Sequence, residues 1–161
     1  MLIPQLFDEL AVASPAQLRG SILALQAYLK QSPAAVSEEV CTLRHIFAPG
    51  NYARELTMPA GLVVIGKLHR HAHLNFISRG HVRVLTEGGV VEYKAPCSFV
   101  SEPGTKRVVL VIEETTWTTV HPTEETDLEK IEEYVIAQDY ADIELPGECM
   151  RVQEVLCLGG Q

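Results

Sequence analysis

Positive charge is scarce in this sequence. Lysine and arginine total 13 against 21 aspartates and glutamates, a net charge of −8. Nucleic-acid backbones are bound through clustered cations, so this balance argues against a nucleic-acid partner. It equally disfavours an anionic membrane surface. Cysteine is sparse too. Cys41, Cys97, Cys149 and Cys157 contain no C-x-x-C pair, which removes zinc knuckles and thioredoxin-like motifs. Long apolar runs are missing, so no transmembrane helix is expected. Met1 to Glu9 offers neither the basic start nor the apolar stretch of a secretory signal. Scattered thiols without such a signal read as the reduced cysteines of a soluble, cytoplasmic protein. No glycine loop for phosphates or dinucleotides is present, and neither is an internal repeat or a low-complexity tract. Ser98, Ser101 and the cysteines have no paired-histidine signature for nucleophilic catalysis.

What is there is ample for one domain. Of 161 residues, 47% are apolar. That suits a single core with roughly thirty to sixty residues of extension. Ser14-Pro15-Ala16-Gln17 predicts a helix start, with Ser14 as N-cap, Pro15 at the first helical position and Gln17 closing a capping box. Leu18, Ile22, Leu25 and Leu29 then recur at helical spacing. Ser32-Pro33 ends this helix and caps a short turn through Val40. Residues 1–41 are therefore expected to form a helical arm, its apolar stripe buried on the domain or on a neighbouring subunit.

From Cys41 the texture becomes short β-type runs cut by turn residues. They are Thr42–Phe47, Ala53–Met58, Leu62–Leu68, Leu74–Ser78, Val82–Thr86, Val90–Tyr93, Ser98–Ser101, Arg107–Ile112 and Trp117–His121. Such spacing predicts an antiparallel sandwich or barrel over 42–122. Arg79-Gly80 and Glu113-Glu114-Thr115-Thr116 read as turns. Residues 123–161 begin with an acidic helix, with Thr126 and Glu129 as a second capping box and Leu128, Ile131 and Val135 as its stripe. Glu124, Glu125, Asp127, Glu129, Glu132 and Glu133, offset by Lys130, form its solvated face. The tail from Ala137 has no periodicity, though Val155 to Leu158 reads as a final strand or an interaction tail.

The chemistry gathers at Gly66-Lys67-Leu68-His69-Arg70-His71-Ala72-His73 and the residues up to Gly80. Alternate residues of a strand share a face, so His69, His71 and His73 would offer a row of imidazoles to a metal. If Glu113–Thr116 is a tight turn, Arg107 is set beside His121. His121 then joins the candidate ligands, with Glu55 as a carboxylate. Imidazole plus carboxylate suits one divalent transition metal, whether iron, manganese, nickel or zinc. Lys67 and Arg107 would repel that cation and suit an anion such as a carboxylate, phosphate or sugar acid. Trp117 stands with them as a core or barrel-mouth residue. A metal site, a metal-free anion pocket and a purely structural histidine face are the three readings of this cluster.

Pro59-Ala60-Gly61, the histidine row and Gly80 resemble the first motif of the cupin superfamily, which runs glycine, H-x-H, a downstream Glu, then glycine. Glu102-Pro103-Gly104-Thr105-Lys106-Arg107 resembles the second, with Arg107 where that motif places a ligand histidine. Asn75 lies near the expected Glu. With Gly80 as anchor, Lys67 and His69 take the H-x-H places and His73 falls near the Glu. The resemblance implies a jelly-roll barrel over 42–122 with one divalent metal in its mouth, and His69 as the ligand it fits best. Tyr52-Ala53-Arg54-Glu55, Gly66 to His69, Ser101 to Arg107 and Glu113 to Thr123 together resemble small cupin-like proteins often encoded by tailed bacteriophages. Cupins commonly pair through barrel edges, so a homo-oligomer is implied. The phage resemblance implies a non-catalytic structural or binding protein, a virion or assembly component in the host cytoplasm or virion, with other virion proteins as partners. Two alternatives stand beside it: a metal-dependent enzyme of isomerase or dioxygenase type, and a small-ligand binder that acts against a host pathway.

Overall fold

The computed structural model describes residues 3–32, 38–138, 140–143 and 156–157. The helix expected to stop at Ser32-Pro33 does end with Ser32 as its C-cap, and Glu38–Val40 forms a short 3-10 turn. Residues 33–37 between them and most of the tail beyond 143 lie outside the described residues.

Two helices open the chain, α1 (Ile3–Leu10) and α2 (Pro15–Gln31). Pro15 takes the first helical position of α2, and the Ser14 amide and hydroxyl both donate to Gln17 Oε1, at 2.9 and 2.7 Å. Leu18 and Ile22 are buried and, with Phe7, pack on Leu85, Val108 and Leu110 of the β-domain. Ion pairs Arg19–Glu87 and Asp8–Arg83, at 2.7 and 2.6 Å, flank that seam. The arm's apolar stripe is thus buried on its own chain.

The strands are β1 (Thr42–Ala48), β2 (Asn51–Met58), β3 (Val63–Ile65), β4 (Leu68–His69), β5 (His73–Thr86), β6 (Gly89–Lys94), β7 (Cys97–Ser101) and β8 (Val108–Pro122). Helix α3 (Leu128–Val135) and the short β9 (Ile136–Ala137) and β10 (Leu156–Cys157) follow. All pairings are antiparallel, in the order β1-β2-β8-β5-β7-β10, with β3 added to β8 and β6 to β5; β4 pairs β9 separately. Strands β5 and β8 each run through two sheets. Leu74–Ile77 pairs Trp117–Val120 in the first, and Val82–Leu85 pairs Val108–Val111 in the second. The result is a mainly antiparallel jelly roll with helical additions at both ends. Its core is Met58, Ile77, Val82, Val84, Cys97, Phe99, Val109, Val111 and Trp117. Among the described residues, no helix is long and apolar enough to cross a membrane.

The structure corrects two expected turns. Arg79-Gly80 does not end a strand; it bends one. Gly80 has φ +94°, and a Cβ there would lie 2.3 Å from the Glu114 carbonyl oxygen. Only glycine lets the two long strands approach this closely. Glu113–Thr116 is likewise no hairpin but the matching corner of β8, where the register slips against β5. Glu113 and Glu114 are polar because they are exposed at that corner, while Thr115 is buried and its hydroxyl donates to the Glu113 carbonyl at 2.7 Å. The expected strand Leu62–Leu68 is also interrupted, at Gly66-Lys67, between β3 and β4. The N-cap of α3 is Asp127 rather than Thr126, and its carboxylate accepts from the Glu129 and Lys130 amides.

Candidate metal centre

Inward-facing residues of the first sheet form rungs across the barrel. Tyr52 of β2 pairs with His121 of β8, Arg54 with Thr119, and Leu56 with Trp117. On β5, Asn75 faces Thr119 and Ile77 faces Trp117. His73 begins β5 beside His121, with ring centroids 4.8 Å apart. His69 arrives from outside the main sheet. Strand β4 is held by β9, with His69 opposite Ile136, and the His69 carbonyl accepts the Gly104 amide at 2.9 Å. Arg70 ties the same corner to α3 and β9 by donating from its amide to Val135 and from its side chain to Ile136. The segment after the barrel therefore positions the first histidine of the cluster.

His69, His73 and His121 converge, with one ligand nitrogen from each within 4.8 Å of the others. His69 lies 4.2 Å from His73 and stacks on His121 at 5.3 Å, centroid to centroid. His73 Nδ1 hydrogen-bonds the His71 carbonyl at 3.2 Å, which fixes that nitrogen as donor and leaves Nε2 as a lone pair. His73 Nε2 and His69 Nδ1 are buried and have no hydrogen-bond partner. Buried polar atoms are ordinarily satisfied, so two orphans in one cluster mark a place for something the protein alone does not supply. Burial, followed by repulsion from His73 and His121, pulls His69 down to about 2; burial, with His71 and Arg54 nearby, pulls His121 to about 4; and burial dominates for His73 at about 4. All three are neutral near pH 7, the state in which imidazole binds a metal. Three nitrogen donors fit a divalent transition ion.

The cluster opens on a cavity of about 390 Å³. Its wall includes Tyr52, Arg54, Lys67, Asn75, Arg107, Trp117 and Thr119 together with apolar Met58, Val64 and Val109, and Ile131, Glu132 and Val135 of α3 cover it. Asn75 is fully buried, accepts from Trp117 Nε1 at 2.9 Å and donates to Ser101 Oγ at 2.6 Å. Ser101 Oγ also accepts from Arg107. Lys67 pairs with Glu132 at the cavity rim. Tyr52 shares a 2.7 Å hydrogen bond with His45, and burial pushes its phenol up.

Two expected ligands stand apart. The chain bends at Arg70–Ala72, so the histidine row is not one strand, and His71 lies exposed against the Tyr134 ring at 4.6 Å. Glu55 occupies the other face of β2 and pairs with Arg44 at 2.8 Å. Lys67, Arg107 and Trp117 all line the cavity. Arg54, Asn75 and the α3 residues were not picked from the sequence as site residues. The alternation Tyr52, Arg54, Leu56, Met58 was the available signal for Arg54.

No protein-family profile matches the chain, and no curated protein sequence matches it. Solved structures similar to it include KdgF from Halomonas sp. (17% identity over 56% of this chain and 86% of the other, TM-score 0.46). A cupin-2 domain protein from Shewanella frigidimarina gives 11% identity over 51% and 80%, TM-score 0.43. A cupin superfamily protein from Desulfitobacterium hafniense gives 6% over 55% and 83%, TM-score 0.46. The architecture of this chain, established by its own strand pairing, is the jelly roll that its sequence resemblance to the cupins implied.

Proposed function

We propose that this chain holds one divalent transition metal on His69, His73 and His121, and that the metal serves a small molecule enclosed beneath α3. The observation that carries this reading is the pair of buried, unpartnered nitrogens, His69 Nδ1 and His73 Nε2, inside a three-imidazole cluster. Neutral imidazoles leave the ion's charge uncompensated, so iron, manganese, nickel and zinc all suit the donors and the ligand type does not choose among them. When bound, the ion supplies Lewis-acid polarisation of a carbonyl or hydroxyl oxygen. The protein's own part is to hold the imidazoles neutral, to fix His73 through the His71 carbonyl, and to exclude water with Ile131 and Val135. These are the requirements of a metal-dependent enzyme of isomerase or dioxygenase type, and equally of a metal-assisted binding protein.

The test is elemental analysis and thermal melting of protein purified without a histidine tag. One metal per chain and a raised melting temperature on metal addition are expected, both lost in His73→Ala. Substoichiometric metal with melting indifferent to every added ion would refute the reading.

A further inference from the structure

The two arginines of this cavity have no carboxylate partner among the described residues. On the outside, arginines meet acids: Arg19 with Glu87, Arg44 with Glu55, Arg79 with Glu114 and Arg83 with Asp8. Arg70 instead donates to the Ile136 and Asp142 carbonyls. Among the described residues, Arg54 and Arg107 are the arginines with neither kind of partner, and both stand on the cavity wall. Lys67 lines it as well, but its amine is taken by Glu132.

Arg107 is the more demanding of the two. Its guanidinium lies over the Phe99 and Trp117 rings, 5.8 and 5.9 Å from their centroids. Its side-chain hydrogen bond among the described residues goes to one neutral oxygen, Ser101 Oγ. A guanidinium presents five N–H donors in a planar fork. One hydroxyl satisfies a fraction of them, and burial pushes this group down to about 10. A buried charge without a counter-charge is costly. A chain with a net charge of −8 has carboxylates in excess, yet the one carboxylate among the residues lining this cavity, Glu132, is paired with Lys67 rather than with Arg107.

We propose that the cavity takes a small organic monocarboxylate, its carboxylate paired with the Arg107 guanidinium and its apolar body against Met58, Val64 and Val109. This rests on the reading of the cavity as a small-molecule site, and deepens it by naming the ligand class. A planar carboxylate matches one guanidinium fork through two parallel hydrogen bonds. A phosphate dianion needs further cationic donors, whereas the groups against the Arg107 guanidinium are the Ser101 hydroxyl and the Phe99 and Trp117 rings. The cavity volume, about 390 Å³, is at the lower end of the roughly 300–1,000 Å³ usual for small-molecule sites. The ligand is therefore a small one.

The experiment is calorimetric titration of the full chain, both EDTA-treated and manganese-loaded, with hexanoate, 2-oxohexanoate, hexanamide and inorganic phosphate. Either acid is expected to bind at least about tenfold more tightly than the amide, as loss of a charge-assisted pair predicts. Arg107→Gln should erase that difference while elemental analysis finds its metal content unchanged. Equal binding of acid and amide, binding of phosphate alone, no binding of any probe, or full binding by Arg107→Gln would each overturn the proposal. The acid-to-amide comparison needs only the unaltered protein, so a poorly folding variant does not remove the test. Acid binding by protein that takes up no metal would refute the metal reading and leave this one standing. Metal uptake without acid preference would do the reverse.

Discussion

Acid should weaken this protein steeply, and the three buried imidazoles set how much. Unfolded histidine titrates near pH 6.5, whereas in the fold His73 and His121 titrate at about 4 and His69 at about 2. Between those limits the unfolded chain binds more protons than the folded one, so stability falls as pH drops below 6.5 and keeps falling until the folded values are reached. At pH 5 the folded sites are still neutral, while the unfolded ones are almost fully charged. Linkage then gives a loss of about 2 kcal/mol per imidazole between pH 7 and pH 5. For the three together that is at most about 6 kcal/mol, a large part of the ~5–15 kcal/mol that holds a domain folded. The assay is urea unfolding at both pH values, followed by Trp117, the single tryptophan and a buried one. A His69→Leu/His73→Leu/His121→Leu variant provides the background from all other groups. The difference in pH sensitivity between the two proteins is the quantity sought. Saturating zinc should restore much of the loss near pH 6, since metal and proton compete for the same nitrogens. If wild type and triple variant lose the same stability on acidification, the cluster is not buried and neutral as described.

Gly80→Ala should cost about 2–4 kcal/mol, from the positive φ and the displacement of the Glu114 carbonyl; an unchanged urea midpoint would show that the corner is looser than described. Asn75→Leu strips Trp117 Nε1 and Ser101 of a partner, at about 1–3 kcal/mol for each group left unsatisfied. Its fluorescence and near-ultraviolet dichroism should change together, and spectra identical to wild type would contradict the Asn75–Trp117 bond. Leu18→Ala should cost about 2–4 kcal/mol if α2 is seated on the sheet, whereas a loss under about 0.5 kcal/mol would mean the helix contributes no buried face.

The strands were legible because each has one buried face and turn residues mark most of its ends. The two long strands were not, because a polar corner and a glycine bend look like loops to any reading based on polarity. Glu113 and Glu114 are exposed in extended backbone, and Gly80 is required by close approach rather than by a turn. At the site, His69, His73 and His121 could be named from spacing and resemblance, but by an incorrect route. A hairpin was supposed to bring His121 inward. Instead β8 passes the corner and delivers His121 opposite Tyr52 from the far end of the same strand. The separation of His71 depends on the bend at Arg70–Ala72, which is fixed by hydrogen bonds to α3 and β9, some sixty-six residues away in sequence. No local pattern carries that information.

Strand β8 is read on both sides. Val108 and Leu110 turn outward to seat the helical arm, while Val109 turns inward to the cavity. Because side chains alternate with a period of two, losing one residue within 108–111 would exchange the two surfaces rather than merely shorten one. The arm would meet the former cavity wall, and the ligand space would receive the arm's seat. Natural insertions and deletions in this chain should therefore be found outside β8, and length changes within it should occur in pairs.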